Sequence, residues 1–156
     1  MSIERRIFLQ RTVAASAVGV ALSAGLLTPR AVVAAWPKAA FKARDVNTVL
    51  SELMGGTDVA DSADIKLKAP DIAENGAVVP VTVSTSLPNV ESIAIVVEKN
   101  PAPLAASFDM SGATSGYVST RIKMGKTSNV LAVVKSGGKL FKASREVKVT
   151  IGGCGG

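Results

Sequence analysis

The amino-acid sequence predicts an all-β domain, built as an antiparallel sandwich and preceded by a short helix. Short alternating or β-branched segments, turn residues between them, and one amphipathic segment before the first strand support this prediction. The predicted strands are Ile65–Lys68, Val78–Thr85, Ser92–Glu98, Leu104–Asp109, Tyr117–Met124, Val130–Lys135 and Leu140–Ile151. Turn residues separate them at Glu74–Gly76, Leu87–Asn89, Asn100–Pro103 and Ser136–Gly138. Such spacing is typical of an immunoglobulin-like sandwich.

Two of these strands have the composition of strands at the centre of a sheet. Segments 93–97 and 130–134 are apolar throughout, whereas the last strand alternates between apolar and polar residues. Arg145 interrupts the apolar set of the last strand, which predicts a β-bulge at that position. The side chains predicted to matter most in the core are those of Ile95, Val97, Val133 and Phe141.

The segment before the strands predicts one amphipathic helix. Its apolar residues recur with the i, i+3, i+4, i+7 spacing of a helix with one buried face, at Val46, Val49, Leu50 and Leu53. Asp45 can accept the first backbone hydrogen bonds of this helix, and Gly55-Gly56 can end it. We expect the helix to pack at the edge of the sandwich.

The net charge does not indicate a nucleic-acid partner. The 156 residues carry a formal charge of +6, but residues 1–35 hold four of the 18 basic and one of the 12 acidic residues, which leaves 14 and 11. One Trp and one Tyr offer little surface for base stacking. A basic set in the last two strands fits either a solvated strand face or weak attraction of an oxyanion or acidic partner: Lys135, Lys139, Lys142, Arg145 and Lys148.

The residue types that most enzymes need are scarce. The chain has no histidine and one cysteine, so it cannot form a Cys–His or Ser–His pair by itself. No Asp or Glu cluster has the spacing of a metal-binding loop. The segment Gly125–Thr127 resembles the end of a phosphate-binding loop, but Thr120 replaces the required glycine and a strand should follow. We therefore expect a protein without catalytic residues, cofactor or metal ion.

The first 35 residues have the organisation of an export signal. Arg5-Arg6 precede an uncharged run, Val13–Leu27, which is shorter than the roughly 20 apolar residues of a transmembrane helix. The paired arginines resemble a twin-arginine signal. We predict cleavage after Ala35, a sandwich over 36–151, an arm over 152–156, and a periplasmic protein with no membrane attachment after cleavage. A retained amphipathic anchor is the alternative.

The last five residues place the one cysteine among four glycines: Gly152, Gly153, Cys154, Gly155 and Gly156. This arm is expected to be thin and flexible, with a reach of roughly 17 Å at most. A lone thiol in an oxidising compartment is either paired between molecules or kept reactive. We predict that Cys154 attaches a substrate covalently for presentation to partner enzymes. The alternative is an exported assembly or adhesion module whose Cys154 forms an intermolecular disulfide.

The sequence resembles the SoxY family, the carrier subunits of the periplasmic thiosulfate-oxidising Sox system. The resemblance spans essentially the whole chain and rests on three segments: Val147–Gly156, Glu98–Pro101 with Pro103-Leu104, and Arg121–Gly125. It implies an immunoglobulin-like fold with Cys154 as the carrier cysteine and the glycines as its arm.

The resemblance also implies partners for the chain. SoxY proteins pair with SoxZ, a smaller β-sandwich subunit, so we expect a heterodimer or heterotetramer. In that system a c-type cytochrome complex conjugates thiosulfate oxidatively to the carrier cysteine. A hydrolase then releases sulfate, and in many organisms a sulfane dehydrogenase oxidises the remaining sulfur. The covalent sulfur adduct takes the place of a cofactor.

Overall fold

The computed structural model describes residues 37–111 and 114–150, which form two helices and nine strands. The helices are α1 (Lys38–Lys42) and α2 (Val46–Met54). The strands are β1 (Val59–Asp61), β2 (Ile65–Lys68), β3 (Ile72–Ala73), β4 (Val79–Thr85), β5 (Val90–Val97), β6 (Leu104–Asp109), β7 (Tyr117–Ile122), β8 (Ser128–Ser136) and β9 (Lys139–Val149).

The strands form two sheets that pack face to face. The larger sheet has the order β1-β9-β8-β5-β6, with β3 also paired to β9, and the smaller sheet has the order β2-β4-β7. Apolar side chains from both sheets fill the space between them, and Val81, Ile95 and Val134 are among those fully buried. The predicted immunoglobulin-like sandwich is therefore confirmed.

Helix α2 begins and ends where its sequence predicts. The Asp45 carboxylate accepts a hydrogen bond from the Thr48 hydroxyl (2.6 Å) and another from the Thr48 backbone N–H (2.8 Å). These two hydrogen bonds, the side-chain one first, lower the pKa of Asp45 because they favour the charged carboxylate. Gly55 ends the helix with φ 79°, a left-handed conformation that favours glycine. The shorter α1 was not predicted.

The helices cover the outer face of the larger sheet, so the predicted position at the edge of the sandwich is wrong. Val49 and Leu50 of α2 pack in a second apolar layer with side chains of the two central strands: Ala94, Val96, Leu131 and Val133. Because the outward-facing residues of β5 and β8 are apolar as well as the inward-facing ones, both faces of these strands need a cover. The domain therefore has one apolar layer between the sheets and another beneath the helices.

The side chains predicted to matter most fall into both layers. Ile95 and Val97 are fully buried between the sheets, and Val133 is 1% exposed beneath the helices. Phe141 is only half-buried, although it packs against the layer between the sheets.

Two strands depart from the predicted antiparallel arrangement. β1 pairs in parallel with Leu140–Lys142 at the start of β9, and β3 pairs in parallel with Lys148-Val149 at its end. Neither strand was predicted, because two or three residues carry too little of the alternating pattern. The bulge predicted at Arg145 is wrong as well: β9 keeps an unbroken register with β8, and the Arg145 guanidinium reaches out to Asp71.

Strand β9 runs the whole length of the larger sheet and defines its two ends. The turn end holds the β8–β9 turn, where Gly137 and Gly138 both have positive φ, as a tight hairpin requires. The arm end, about eleven residues later, holds Val149 and Thr150.

Candidate functional site at the arm end

The residues predicted to carry the function lie outside the described part of the chain. They are Cys154, the glycines Gly152, Gly153, Gly155 and Gly156, and the signal residues Arg5 and Arg6. The structure does describe the strand that leads to the cysteine, up to Thr150. Cys154 follows Thr150 by four residues, which can span about 14 Å at most. The surroundings of Thr150 are therefore the candidate site.

One edge of β9 is held by the segment that contains β3. The backbone N–H of Lys148 donates to the carbonyl of Asp71 (2.9 Å), and that of Thr150 donates to the carbonyl of Ala73 (3.1 Å). The guanidinium of Arg145 also donates to Oδ1 of Asp71 (2.7 Å). This segment thus contacts β9 at alternate residues, as a parallel strand does.

The other edge of β9 is held by Thr127 at the same level. The N–H of Val149 donates to the Thr127 hydroxyl (3.0 Å), and that hydroxyl donates to the carbonyl of Val149 (3.5 Å). The N–H groups of three consecutive residues, 148 to 150, therefore have partners in two separate segments of the chain. The described chain is anchored up to its last residue, Thr150.

Asn100 connects two of the sequence motifs that carry the family resemblance. Its Nδ2 donates to the carbonyl of Lys123 (2.8 Å), and its Oδ1 accepts from the N–H of Gly125 (3.0 Å). The loop that holds Thr127 is thereby fixed to the loop after β5. Sequence reasoning found both motifs but missed their contact, because no periodic pattern links loops so far apart in the chain.

Two further residues of the site have roles that the sequence did not predict. Strand β8 begins directly after Thr127, so the rejection of a phosphate-binding loop is confirmed, but the role of Thr127 was missed. Gly76 was predicted only as a turn residue. A Cβ at Gly76 would overlap the carbonyl oxygen of Met124 and lie 2.9 Å from Cγ1 of Val149. Only glycine allows the chain to approach this closely.

The basic residues of the last hairpin do not form one continuous charged face. Three of the five form ion pairs: Lys135 with Glu91 (3.8 Å), Lys142 with Asp61 (4.0 Å) and Arg145 with Asp71 (2.7 Å). Such exposed pairs contribute about 1 kcal/mol or less each to stability. For these three residues the structure favours the solvated strand face over a surface that attracts anions.

Two cavities open on the described domain, and the larger one, at the turn end, is out of reach of Cys154. The larger, of 570 Å³, is lined by residues that include Met54, Gly138 and Leu140, and the smaller, of 410 Å³, by residues that include Lys66 and Thr85. Leu140 precedes Thr150 by ten residues of strand, about 33 Å at 3.3 Å per residue. The four residues after Thr150 cover less than half of that distance, so the larger cavity cannot receive the cysteine of the same chain.

Residues 37–111 and 114–150 contain no group of three or more His, Cys, Asp or Glu side chains that could hold a metal ion. No helix within these ranges is long and apolar enough to cross a membrane.

Comparison with known proteins assigns the chain to a family. The family model of the sulfur oxidation protein SoxY matches residues 50–154 and so ends at the position of the one cysteine. Among solved structures, the sulfur carrier protein SoxY from Chlorobium limicola f thiosulfatophilum is 48% identical with a TM-score of 0.60. The alignment covers 65% of this chain and 93% of that one. No curated protein matches the sequence.

The superoxide reductase (neelaredoxin) from Ignicoccus hospitalis shares the fold. It is 18% identical with a TM-score of 0.52, over 59% of this chain and 95% of its own. A substituted variant of that reductase is also 18% identical, with a TM-score of 0.50, over 69% of this chain and 90% of its own. This similarity shows the fold alone. Because the SoxY model matches well over half of the residues, including the arm end, this chain belongs to the SoxY family of sulfur oxidation proteins.

Proposed function

We propose that this protein is a periplasmic sulfur carrier that holds thiosulfate-derived intermediates covalently on Cys154 and presents them to partner enzymes. The observation that carries the proposal is the family match that ends at residue 154, the one cysteine of the chain. The 48% identical relative bears the name of a sulfur carrier protein. The anchored end of β9, four residues before Cys154, supports a role in presentation.

The chemistry needs only the thiol from this chain. In the loading step the Cys154 thiolate forms an S–S bond with the outer sulfur of thiosulfate, which yields Cys–S–S–SO₃⁻ and two electrons. The c-type cytochrome complex implied by the family accepts these electrons. Water then attacks the sulfonate, which leaves as sulfate with release of two protons, and Cys–S–S⁻ stays on the carrier. The sulfane dehydrogenase would oxidise this remaining sulfur.

In this proposal the protein does not itself catalyse these steps and holds no cofactor. The absence of histidine leaves the Cys154 thiol without an imidazole base in its own chain, so activation falls to the partners. The larger described cavity is too far from Thr150 to enclose the adduct. Covalent attachment instead keeps each intermediate at a high local concentration wherever the sandwich docks.

The proposal includes a SoxZ-type partner subunit that binds the sandwich and leaves the arm free, in a heterodimer or heterotetramer. Strands β6 and β7 each end a described sheet, and an unpaired strand edge is a ready surface for association. Export by the twin-arginine route would bring both subunits to the periplasm together, since SoxZ-type subunits carry no signal of their own.

The direct test of this function is reduction of the cytochrome complex by thiosulfate in the presence of the carrier. The wild-type protein should support it, whereas Cys154→Ser should abolish it, because a hydroxyl cannot form a persulfide or thiosulfonate bond. Far-ultraviolet circular dichroism and partner binding should be unchanged in the variant. Continued thiosulfate-dependent reduction with Cys154→Ser would remove the carrier assignment.

A further inference from the structure

Two segments hold the end of β9 from opposite edges, and we propose that they act as a clamp that fixes where the carrier arm begins. The clamp consists of residues 71–76 on one edge and residues 124–127 on the other. Thr127 and Gly76 are its positioning residues, because they act on Cys154 only through the strand that leads to it. This inference rests on the proposed function, since it concerns how the thiol is presented.

The hydrogen bonds at the end of β9 alternate between the two halves of the clamp. Lys148 and Thr150 donate their N–H groups to carbonyls of the first segment, at 2.9 and 3.1 Å, and Val149 donates to the Thr127 hydroxyl of the second, at 3.0 Å. A strand held on one edge can peel away from it residue by residue. A strand held on both edges cannot leave until both sets of hydrogen bonds break.

The two halves of the clamp are also joined to each other across the strand end. The N–H of Met124 donates to the carbonyl of Gly76 (2.7 Å). A Cβ at Gly76 would overlap the Met124 carbonyl oxygen and press against the Val149 side chain, so any other residue must push one half away. The absence of a side chain at Gly76 is therefore a requirement of the clamp and not only of the turn.

The clamp sets how far the thiol can travel. With Thr150 fixed, Cys154 stays within about 14 Å of it. If the clamp opened, the next firm anchor would be Val147, which is fully buried, and seven residues with a reach of about 24 Å would separate it from Cys154. The effective concentration of the thiol at a docked active site would then fall about twofold to threefold from chain length alone. Docking of the sandwich on a partner enzyme would not change. The loss should therefore appear in kcat and not in the KM for the carrier.

Two clamp variants and three matched variants test this inference. Thr127→Val removes the hydroxyl at nearly constant shape. Thr127→Ser keeps a hydroxyl and should therefore behave like the wild type. Gly76→Ala introduces the overlap described above. As controls, Thr82→Val removes a hydroxyl bonded to Ser119 (3.1 Å) in the smaller sheet, and Gly116→Ala places a Cβ 2.6 Å from the Cγ2 methyl of Thr85, away from the clamp.

Amide hydrogen exchange reports the clamp without any sulfur chemistry. In Thr127→Val and Gly76→Ala, the amides of residues 148 to 150 should exchange about fivefold faster than in the wild type, while amides in the middle of β8 keep their rates. The control variants and Thr127→Ser should leave residues 148 to 150 unchanged. Unchanged exchange in both clamp variants would overturn the inference, whatever their activity.

Cytochrome reduction by thiosulfate reports presentation. The clamp variants should show a kcat about twofold to threefold lower, with an unchanged KM for the carrier. Alkylation of Cys154 by iodoacetamide should proceed at the normal rate. Faster exchange at residues 148 to 150 with an unchanged kcat would refute the role in presentation while leaving the carrier function intact. A wild-type protein that accepts no sulfur would instead refute the proposed function, and the inference with it.

Discussion

Replacing Val133 with Asp probes the apolar layer beneath the helices. The sequence predicted that Val133 is buried, but not that the helices cover it. Val133 lies at the centre of β8 and is 1% exposed, in a layer that also contains Val49 and Leu50 of α2. Removing its side chain from this layer forfeits about 1.5–3 kcal/mol of apolar burial. A carboxyl group in its place finds no described hydrogen-bonding partner in a layer made of apolar side chains, which adds several kcal/mol.

The expected loss is therefore at least about 4 kcal/mol, which is a large share of the roughly 5–15 kcal/mol that holds a domain of this size together. Val78→Asp is the matched control, because the same substitution is made at a side chain that is 50% exposed. Its expected cost is about 0.5 kcal/mol or less. Urea unfolding followed by circular dichroism measures both free energies of unfolding on the same protein preparation.

The two variants test whether the outer face of β8 is covered. If the helices cover the outer face of the larger sheet, Val133→Asp should unfold at a much lower urea concentration than Val78→Asp. If that face were open to water, an Asp there would be tolerated. Equal midpoints for the two variants would refute the account of the second layer.

Three further predictions follow from the chain. The lowered pKa of Asp45 means that its contribution is complete above the unfolded-state pKa and is lost as the pH falls through the lower folded pKa. As the pH falls from about 5 to about 2, the free energy of unfolding measured in urea should therefore decrease more for the wild type than for Asp45→Asn. Equal decreases in the two proteins would contradict this. Deleting residues 152–156 should leave co-purification with a SoxZ-type subunit intact while abolishing sulfur transfer; loss of pairing would favour the assembly-disulfide alternative. Replacing Arg5 and Arg6 with Lys should leave both subunits in the cytoplasm, and periplasmic recovery of either subunit would contradict the shared route.

The longer strands were predictable because each has its own alternating or apolar pattern. β6 was placed with its observed bounds, and β4, β5 and β8 within two residues. The ends of α2 were equally visible, since Asp45 and Gly55 act within one turn of the helix. In each case the information that fixes the element lies inside it.

What the sequence missed depends on contacts between distant segments. β1 and β3 are strands only because β9 offers them an edge, and their few residues show no pattern of their own. The continuous apolar runs of β5 and β8 indicated strands at the centre of a sheet, but not that α2 covers one of their faces. Gly76 and Thr127 look like ordinary turn residues until the fold brings both against the end of β9.

The central claim is that Cys154 carries sulfur covalently, and intact mass spectrometry of the native protein tests it most directly. The carrier is incubated with thiosulfate and the oxidised cytochrome complex, and its mass is measured before and after addition of a thiol reductant. The account predicts a gain of one S₂O₃ unit on the wild-type chain, its removal by the reductant, and no gain on Cys154→Ser. An unchanged wild-type mass, or a reductant-sensitive mass of two chains joined together without any bound sulfur, would contradict it.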